Sequence, residues 1–154
     1  MMERGPLQDA SLTELSKTWV ACRMTGGDEN PSPGIDAFMA RYGVDGFPTC
    51  LVLSADGALL KTAGNVMQPP EILAAARDGA AIEADFQAFK KAVEKFDDPA
   101  LWGALAKAYA DRLERSRAVE VLAKLAQSDS SPRRLEALAR AQGEAGDHKA
   151  ALAT

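Results

Sequence analysis

One stretch of the chain, residues 41–62 with the sequence RYGVDGFPTCLVLSADGALLKT, limits the fold more than any other. A proline cannot donate a backbone hydrogen bond to a sheet, so Pro48 predicts the start of a strand. The apolar run at 50–53 supplies that strand. Asp56-Gly57 is typical of a hairpin turn, which leads into a second strand at 58–62.

The residues before this stretch predict a helix. Apolar side chains recur with helical spacing over 35–42, and Gly43 tolerates the left-handed conformation that often ends a helix. The order of helix, Gly-Phe-Pro-Thr turn at 46–49, strand, Asp-Gly turn, strand and helix resembles the C-terminal half of the thioredoxin family. The alternative is a proline at the start of a strand in an unrelated α/β domain.

The resemblance implies a peptide-binding turn. In that family the proline that matches Pro48 is cis, and the residue that matches Phe47 offers its backbone to an extended substrate peptide. We therefore expect Gly46, Phe47 and Pro48 to be the substrate-binding residues. The implied domain is an α/β thioredoxin-like fold over residues 1–80, incomplete because its N-terminal strands are missing.

Further elements are expected on either side of the turn. Ser11 and Glu14 have the spacing of a capping box, which predicts the start of a helix at Ser11. Alternating apolar residues over 19–24 predict a strand. After the hairpin, a helix over 71–77 is expected to end at Gly79.

The C-x-x-C motif of the thioredoxin family is absent. The chain has two cysteines, Cys22 and Cys50, and one histidine, His148. A dithiol oxidoreductase needs an activated thiolate and a second cysteine that resolves the mixed disulfide, and these two cysteines do not supply that pair. We expect both to be small buried side chains, and we predict no catalytic residue, no metal site and no cofactor.

The missing motif indicates an N-terminally truncated chain, with a divergent domain that never had the motif as the alternative. A C-x-x-C encoded upstream of Met1 would separate the two. In the family the missing strand lies in the middle of the sheet, and unpaired buried backbone groups are costly. The strand expected at 19–24 should therefore show weak amide-exchange protection.

From residue 81 onward the pattern becomes helical, because strand signals vanish and alanine is frequent. Apolar residues at alternating spacings of four and three predict one seam of a long helix: Ile82, Phe86, Phe89, Val93 and Phe96. Asp98 and Pro99 predict the start of the next helix, as its N-cap and its first residue.

Residues 99–131 resemble a tetratricopeptide repeat, and a second, weaker copy follows. Trp102 of the first copy has its counterpart at Leu135, which lies 33 residues later, close to the period of that family. Region 81–154 is thus expected to form all-α helical hairpins of tetratricopeptide type, incomplete at the C-terminus. The resemblance implies protein or peptide partners; the alternative is a plain array of alanine-rich helical hairpins.

Two surface features of the helical region have open interpretations. Arg133, Arg134 and Arg140 form either a basic patch for an acidic peptide or a solvated helix face, and the sequence favours the solvated face. His148 is expected to be exposed. An unfinished repeat would leave an apolar helix face uncovered, which leaves self-association open.

Charge and hydropathy exclude several classes of function. The net charge is −4, and the sequence has no basic stripe, which argues against a nucleic-acid partner. No apolar run approaches the roughly 20 residues of a membrane span. No signal peptide is visible, and the compartment stays open.

The sequence as a whole predicts a thioredoxin-like protein of the thiol–disulfide oxidoreductase family, inactive as this chain because the C-x-x-C motif is absent. The alternative is a non-catalytic protein–protein interaction module that uses its helical repeats.

Overall fold

The computed structural model describes residues 9–22, 24–25, 31–64 and 68–154. The chain divides into two compact units, Met1–Ile82 and Glu83–Thr154. Within the described ranges the elements are, in chain order, α1 Ala10–Leu15, α2 Ile35–Tyr42, β1 Leu51–Leu53, β2 Leu59–Thr62, α3 Pro69–Phe96, α4 Pro99–Asp111, α5 Arg115–Ser128, α6 Pro132–Glu144 and α7 His148–Ala153. Over these ranges the chain is mostly helical with one small sheet, which is a mixed α/β composition.

The sheet of the first unit is the hairpin that the sequence predicts. Strands β1 and β2 are antiparallel, with Leu51 opposite Thr62 and Leu53 opposite Leu59. An irregularity in register lies just before Leu53. Gly57 in the turn has φ of 77°, a left-handed conformation that costs glycine little.

Helix α3 covers one face of this hairpin, and its length corrects the sequence prediction. Val52, Leu60 and Ala75 form the buried cluster between the hairpin and the helix. The sequence predicts an end at Gly79, but the helix continues to Phe96. A Cβ at Gly79 would lie 2.6 Å from the Val52 Cγ1, so the glycine lets the helix approach the strand rather than ending it.

Two expectations for the start of the chain are wrong. The N-cap of α1 is Asp9 rather than Ser11, because the Asp9 carboxylate accepts a hydrogen bond from the Ser11 N–H at 2.8 Å. The strand expected at 19–24 is absent from the described residues of that segment, in which Val20 is 89% exposed. Arg23 lies outside the described residues, as does the segment 1–8 of the expected domain.

The second unit is built from successive packed helices. Helix α4 contacts α5, α5 contacts α6, and α6 contacts α7. The predicted start of α4 is confirmed, since the Asp98 carboxylate accepts a hydrogen bond from the Ala100 N–H at 2.7 Å and Pro99 is the first helical residue. The main buried cluster of this unit consists of Phe86, Val93, Leu105, Ala106, Tyr109, Ala118 and Val121.

The apolar seam expected along α3 is buried only in its central part. Phe86 and Val93 are buried and Phe89 packs against them. The ends of the seam are open, because Ile82 is 39% and Phe96 is 66% exposed. Sequence periodicity finds the face of a helix, but it does not show where the packed neighbour begins and ends.

The backbone repeats with the offset that the sequence suggests. Leu113 has φ of 60° in the turn between α4 and α5, and Gly146 has φ of 88° in the turn between α6 and α7, 33 residues later. Pro99 and Pro132 begin α4 and α6 with the same offset. The two helix pairs therefore follow one local plan.

Candidate functional site

The predicted peptide-binding turn follows α2 in the first unit. Gly43 caps the helix in the left-handed conformation, with φ of 63°, and its N–H donates to the Met39 carbonyl. The Val44 N–H donates to the same carbonyl at 3.0 Å. Two donors on one acceptor fix the direction in which the chain leaves the helix.

The centre of the turn is open to solvent. The Phe47–Pro48 peptide bond is cis, as the resemblance leads one to expect. The Phe47 side chain is 50% exposed, and Pro48 is exposed as well. Within the described part of the chain, the N–H groups of Gly46 and Phe47 donate no hydrogen bond. The turn thus presents free backbone donors beside an exposed aromatic ring.

The residues after the turn hold its exit in place. The Thr49 hydroxyl donates to the Gly46 carbonyl at 2.6 Å. The Cys50 N–H donates to the Gly64 carbonyl at 3.3 Å, and the Cys50 carbonyl accepts from the Ala63 N–H at 2.9 Å. These bonds extend the hairpin ladder up to the turn, so the turn rests on a paired strand.

A cleft of about 380 Å³ lies beside the turn. It is lined by the chain from Tyr42 to Gly46, by Thr49, and by the strand residues Leu51 and Thr62. Of the three substrate-binding residues expected from the sequence, Gly46 lines this cleft, whereas Phe47 and Pro48 do not. The structure therefore places all three on one turn but only one of them at the cleft.

Sequence reasoning missed the contact that joins α2 to the hairpin. The Tyr42 hydroxyl donates to the Gly57 carbonyl at 2.7 Å, and Tyr42 is 9% exposed. The Arg41 guanidinium lies 5.2 Å from the centre of the Tyr42 ring. Tyr42 is the only member of its apolar stripe that carries a hydroxyl, and that feature was the available signal.

The two cysteines differ in their surroundings, and neither forms a disulfide. Cys50 is half-buried, and burial raises the pKa of its thiol. A raised pKa leaves less thiolate, which is the nucleophilic form. The expectation of two buried cysteines is wrong for Cys22, which is exposed; the described residues of its segment form no strand.

A second concave surface lies in the helical unit, between α3, α4 and α5, and we call it the α3–α5 groove. Its volume is about 310 Å³. Helix α4 contributes Trp102, Leu105 and Tyr109 to its lining. Lys90 and Glu94 of α3 stand on one side, and on the α5 side stand Arg117, Glu120, Val121 and Lys124. Periodicity within single helices does not reveal this surface, because its charges come from separate helices.

Next to this groove a buried arginine joins α3 to the turn between α4 and α5. Arg112 is 7% exposed, and its guanidinium pairs with Glu83 at 2.7 Å and with Glu114 at 2.8 Å. It also lies 4.0 Å from the centre of the Phe86 ring. Buried charges of this kind persist only when they are paired.

The carboxyl group of Glu83 is acidified by this arrangement. Desolvation raises its pKa, but hydrogen bonds from Gln87 and Arg112 and the charge of Arg112 outweigh that effect, so the pKa lies below its ordinary value. Glu83 therefore releases its proton at a lower pH than an ordinary glutamate does, because Arg112 stabilises the carboxylate.

The three arginines considered as a basic patch do not act as one set. Arg133 and Arg140 are on α6, and Arg133 is exposed. Arg134 is partly buried, where it donates to the Leu125 carbonyl at 3.3 Å and pairs with Asp129 at 3.3 Å. Arg134 thus has a local structural role. His148 is exposed, as expected.

Two further kinds of site are missing from the residues that the structure describes. Those residues contain no cluster of three or more His, Cys, Asp or Glu side chains that could hold a metal ion. None of the helices in those same ranges combines the length and the apolar character that crossing a membrane requires.

Comparison with known proteins found no matching family model, no matching curated protein and no matching solved structure.

Proposed function

We propose that this chain is a thioredoxin-like protein of the thiol–disulfide oxidoreductase family that retains a peptide-binding turn and lacks dithiol activity. The carrying observation is the turn at Gly46 and Phe47, whose free N–H groups lie beside an exposed aromatic side chain. It stands between a glycine-capped helix and a paired strand, in the element order that the resemblance requires.

The turn suits an extended peptide. A peptide in the β conformation satisfies free backbone groups through main-chain hydrogen bonds, and side-chain contacts supply specificity. The N–H groups of Gly46 and Phe47 would donate to the peptide, and the half-exposed ring of Phe47 would cover one of its apolar side chains. The bond from Thr49 to the Gly46 carbonyl holds the turn in shape before any peptide arrives.

The absence of dithiol activity follows from the cysteines. Cys22 and Cys50 are separate free thiols, and the raised pKa of Cys50 makes it a poor nucleophile at neutral pH. Exchange also needs a resolving thiol next to the first one. In a dithiothreitol-driven insulin reduction assay, the chain should give no rate above that of dithiothreitol alone.

Nuclear magnetic resonance tests the peptide-binding part. The ligand is the insulin B chain with alkylated cysteines, an unfolded peptide that cannot exchange disulfides. Its addition should shift the amide signals of Gly46, Phe47 and Thr49, and Phe47→Ala should weaken binding. Gly103→Ala, a substitution in the helical unit with open space around the new methyl group, is the control. Shifts that spare the turn would contradict the proposal.

A second candidate is a non-catalytic interaction module built on the helical unit. The observation that favours it is the 33-residue offset between the left-handed turns at Leu113 and Gly146. Stacked helix pairs with a constant repeat commonly present extended surfaces to protein partners. The same titration separates the candidates, because peptide binding to this unit would shift signals within 83–154 and leave the turn unchanged.

A further inference from the structure

The cleft beside the turn at Gly46 has a charge of one sign only in its lining. Among the described residues that line it, Asp45 alone is charged, and none is a lysine or an arginine. Asp45 is exposed, and within the described part of the chain its carboxylate joins no ion pair and no hydrogen bond. A negative charge without a neighbouring cation favours a positively charged partner.

The uncharged part of the lining suits a long side chain with an apolar stem. Val44 and Leu51 are half-buried and offer apolar surface. Thr49 and Thr62 offer hydroxyl oxygens. The Thr49 hydroxyl donates to the Gly46 carbonyl at 2.6 Å, which leaves its own lone pairs able to accept. Lysine and arginine combine an apolar stem with a head group that only donates hydrogen bonds, so they match this lining.

The cleft also has room for such a side chain. Its volume of about 380 Å³ lies within the range of about 300–1,000 Å³ that is typical of ligand pockets. Gly43, Gly46 and Gly64 add no side chain to it, and a Cβ at any of the three would meet no atom within 4 Å. These positions therefore keep the cleft open.

The first unit as a whole has the same sign of charge as the cleft. Residues 1–82 contain ten Asp or Glu residues against six Lys or Arg residues, whereas residues 83–154 contain twelve of each kind. The net charge of −4 thus belongs to the unit that carries the turn. An excess of one sign steers partners of the opposite sign toward the surface.

We propose that the turn selects extended peptides in which a lysine or arginine side chain is next to an apolar one, and that Asp45 selects the basic side chain. This inference rests on the proposed peptide-binding turn. Successive side chains of an extended peptide point to opposite sides. Because Gly46 lines the cleft and Phe47 does not, neighbouring peptide side chains would enter the cleft and cover the Phe47 ring.

Asp45 would determine specificity rather than supply most of the affinity. The N–H groups of Gly46 and Phe47 would hold the main chain of the peptide, whatever its side chains are. Since the Asp45 carboxylate is exposed, water and salt screen its attraction for a cation. An exposed ion pair of this kind changes an affinity by about two- to fivefold.

The test uses one short synthetic peptide in three forms. Valine alternates with a guest residue, and the peptide ends are acetylated and amidated so that only side chains carry charge. The guest is lysine, Nε-acetyllysine or glutamate, and acetylation removes the lysine charge while it keeps the stem. Amide shifts of Gly46 and Phe47 give the affinity for the whole chain. The lysine form should bind about two- to fivefold more tightly than the acetyllysine form, and the glutamate form should bind most weakly.

Variants of Asp45 give the decisive comparison. Asp45→Asn should make the lysine and acetyllysine forms bind equally, and Asp45→Lys should make the glutamate form bind most tightly. Asp36→Asn is the matched control, because Asp36 is an exposed carboxylate of the same unit that does not line the cleft. It changes the net charge by the same amount and should leave the preference for lysine in place.

Spermidine separates a basic side chain of a peptide from a free cation. It carries positive charges but has no backbone carbonyl, so it should not shift the Gly46 and Phe47 amides. Displacement of the lysine peptide by an equal concentration of spermidine would overturn peptide selection and assign the cleft to free cations.

The remaining outcomes separate this inference from the function on which it rests. Equal binding of the lysine and acetyllysine forms at the turn would overturn selection by Asp45 and keep the peptide-binding turn. A preference for lysine that survives Asp45→Asn, or that Asp36→Asn abolishes equally, would assign the selectivity to the overall charge and would also overturn the inference. If no form shifts the Gly46 and Phe47 amides, both the inference and the proposed turn are wrong.

Discussion

Replacing Gly79 with alanine tests how α3 packs on the hairpin. A new methyl group there would stand 2.6 Å from the Val52 Cγ1, whereas carbon atoms in contact prefer about 3.5–4.0 Å. Either the helix or the strand must shift by about 1 Å. Val52 can move aside only at a cost, because the χ1 angle of a β-branched side chain is restricted.

The expected magnitude comes from two opposing effects. Alanine in a helix interior is favoured over glycine by about 1 kcal/mol. Overpacking a dense core costs about 1–3 kcal/mol, and the stiff partner and short distance put this site in the upper half of that range. Gly79→Ala should therefore lower the free energy of unfolding by about 1–2 kcal/mol. For a chain of this length that lowers Tm by about 2–8 °C.

Two other glycines provide matched controls. Gly103 in α4 and Gly143 in α6 are helical, and a Cβ at either would meet no atom within 4 Å. Alanine at these sites should stabilise the chain by up to about 1 kcal/mol. Thermal and urea denaturation measure all three variants, and Val52→Ala should partly rescue Gly79→Ala. Stabilisation by Gly79→Ala equal to that of the controls would refute the close contact and would require a looser helix.

Three further outcomes are expected. Arg112→Ala should lower the free energy of unfolding in urea by up to about 3 kcal/mol, the lower end of the cost of breaking a buried ion pair, because Glu114 keeps Arg117 as a partner at 2.7 Å; a loss below about 1 kcal/mol would contradict the expectation. The pKa of Glu83 is lower in the folded chain than its ordinary value. Its contribution to the free energy of unfolding is therefore present above the pKa of the unfolded chain and is lost as the pH falls through the pKa of the folded chain. Glu83→Gln should thus flatten the acid side of the curve of unfolding free energy against pH. With a thiol-reactive dye, exposed Cys22 should react faster than Cys50, whose pKa burial raises; equal rates would argue otherwise.

Local signals predicted the parts of this fold that depend on a few neighbouring residues. Gly43 ends α2 and Asp56-Gly57 turns the hairpin, because each requires a backbone conformation that few residue types adopt. Asp98 begins α4 because its carboxylate reaches the N–H of Ala100 two residues on. These interactions are complete within a single turn of chain, so the sequence contains all their causes.

The wrong predictions concern features that depend on residues distant in sequence. Gly79 has the local pattern of a helix end, but its role depends on Val52, which is distant in sequence. The segment at 19–24 has strand periodicity, but a strand also needs a neighbour to pair with, and its described residues have none. A local pattern cannot distinguish a glycine that ends a helix from one that lets a neighbouring strand approach. Nor can it distinguish a paired strand from alternating apolar residues that have no partner strand.

The two candidate sites differ in the same way, since one depends on neighbouring residues and the other on distant ones. The turn at Gly46 and Phe47 can be found from sequence because its residues are contiguous. The α3–α5 groove cannot be found by periodicity, since Lys90, Tyr109 and Lys124 come from three helices. Comparing the chain with itself at the 33-residue offset does point to it, because Lys90, Arg117 and Glu120 correspond to Ala123, Ala150 and Ala153.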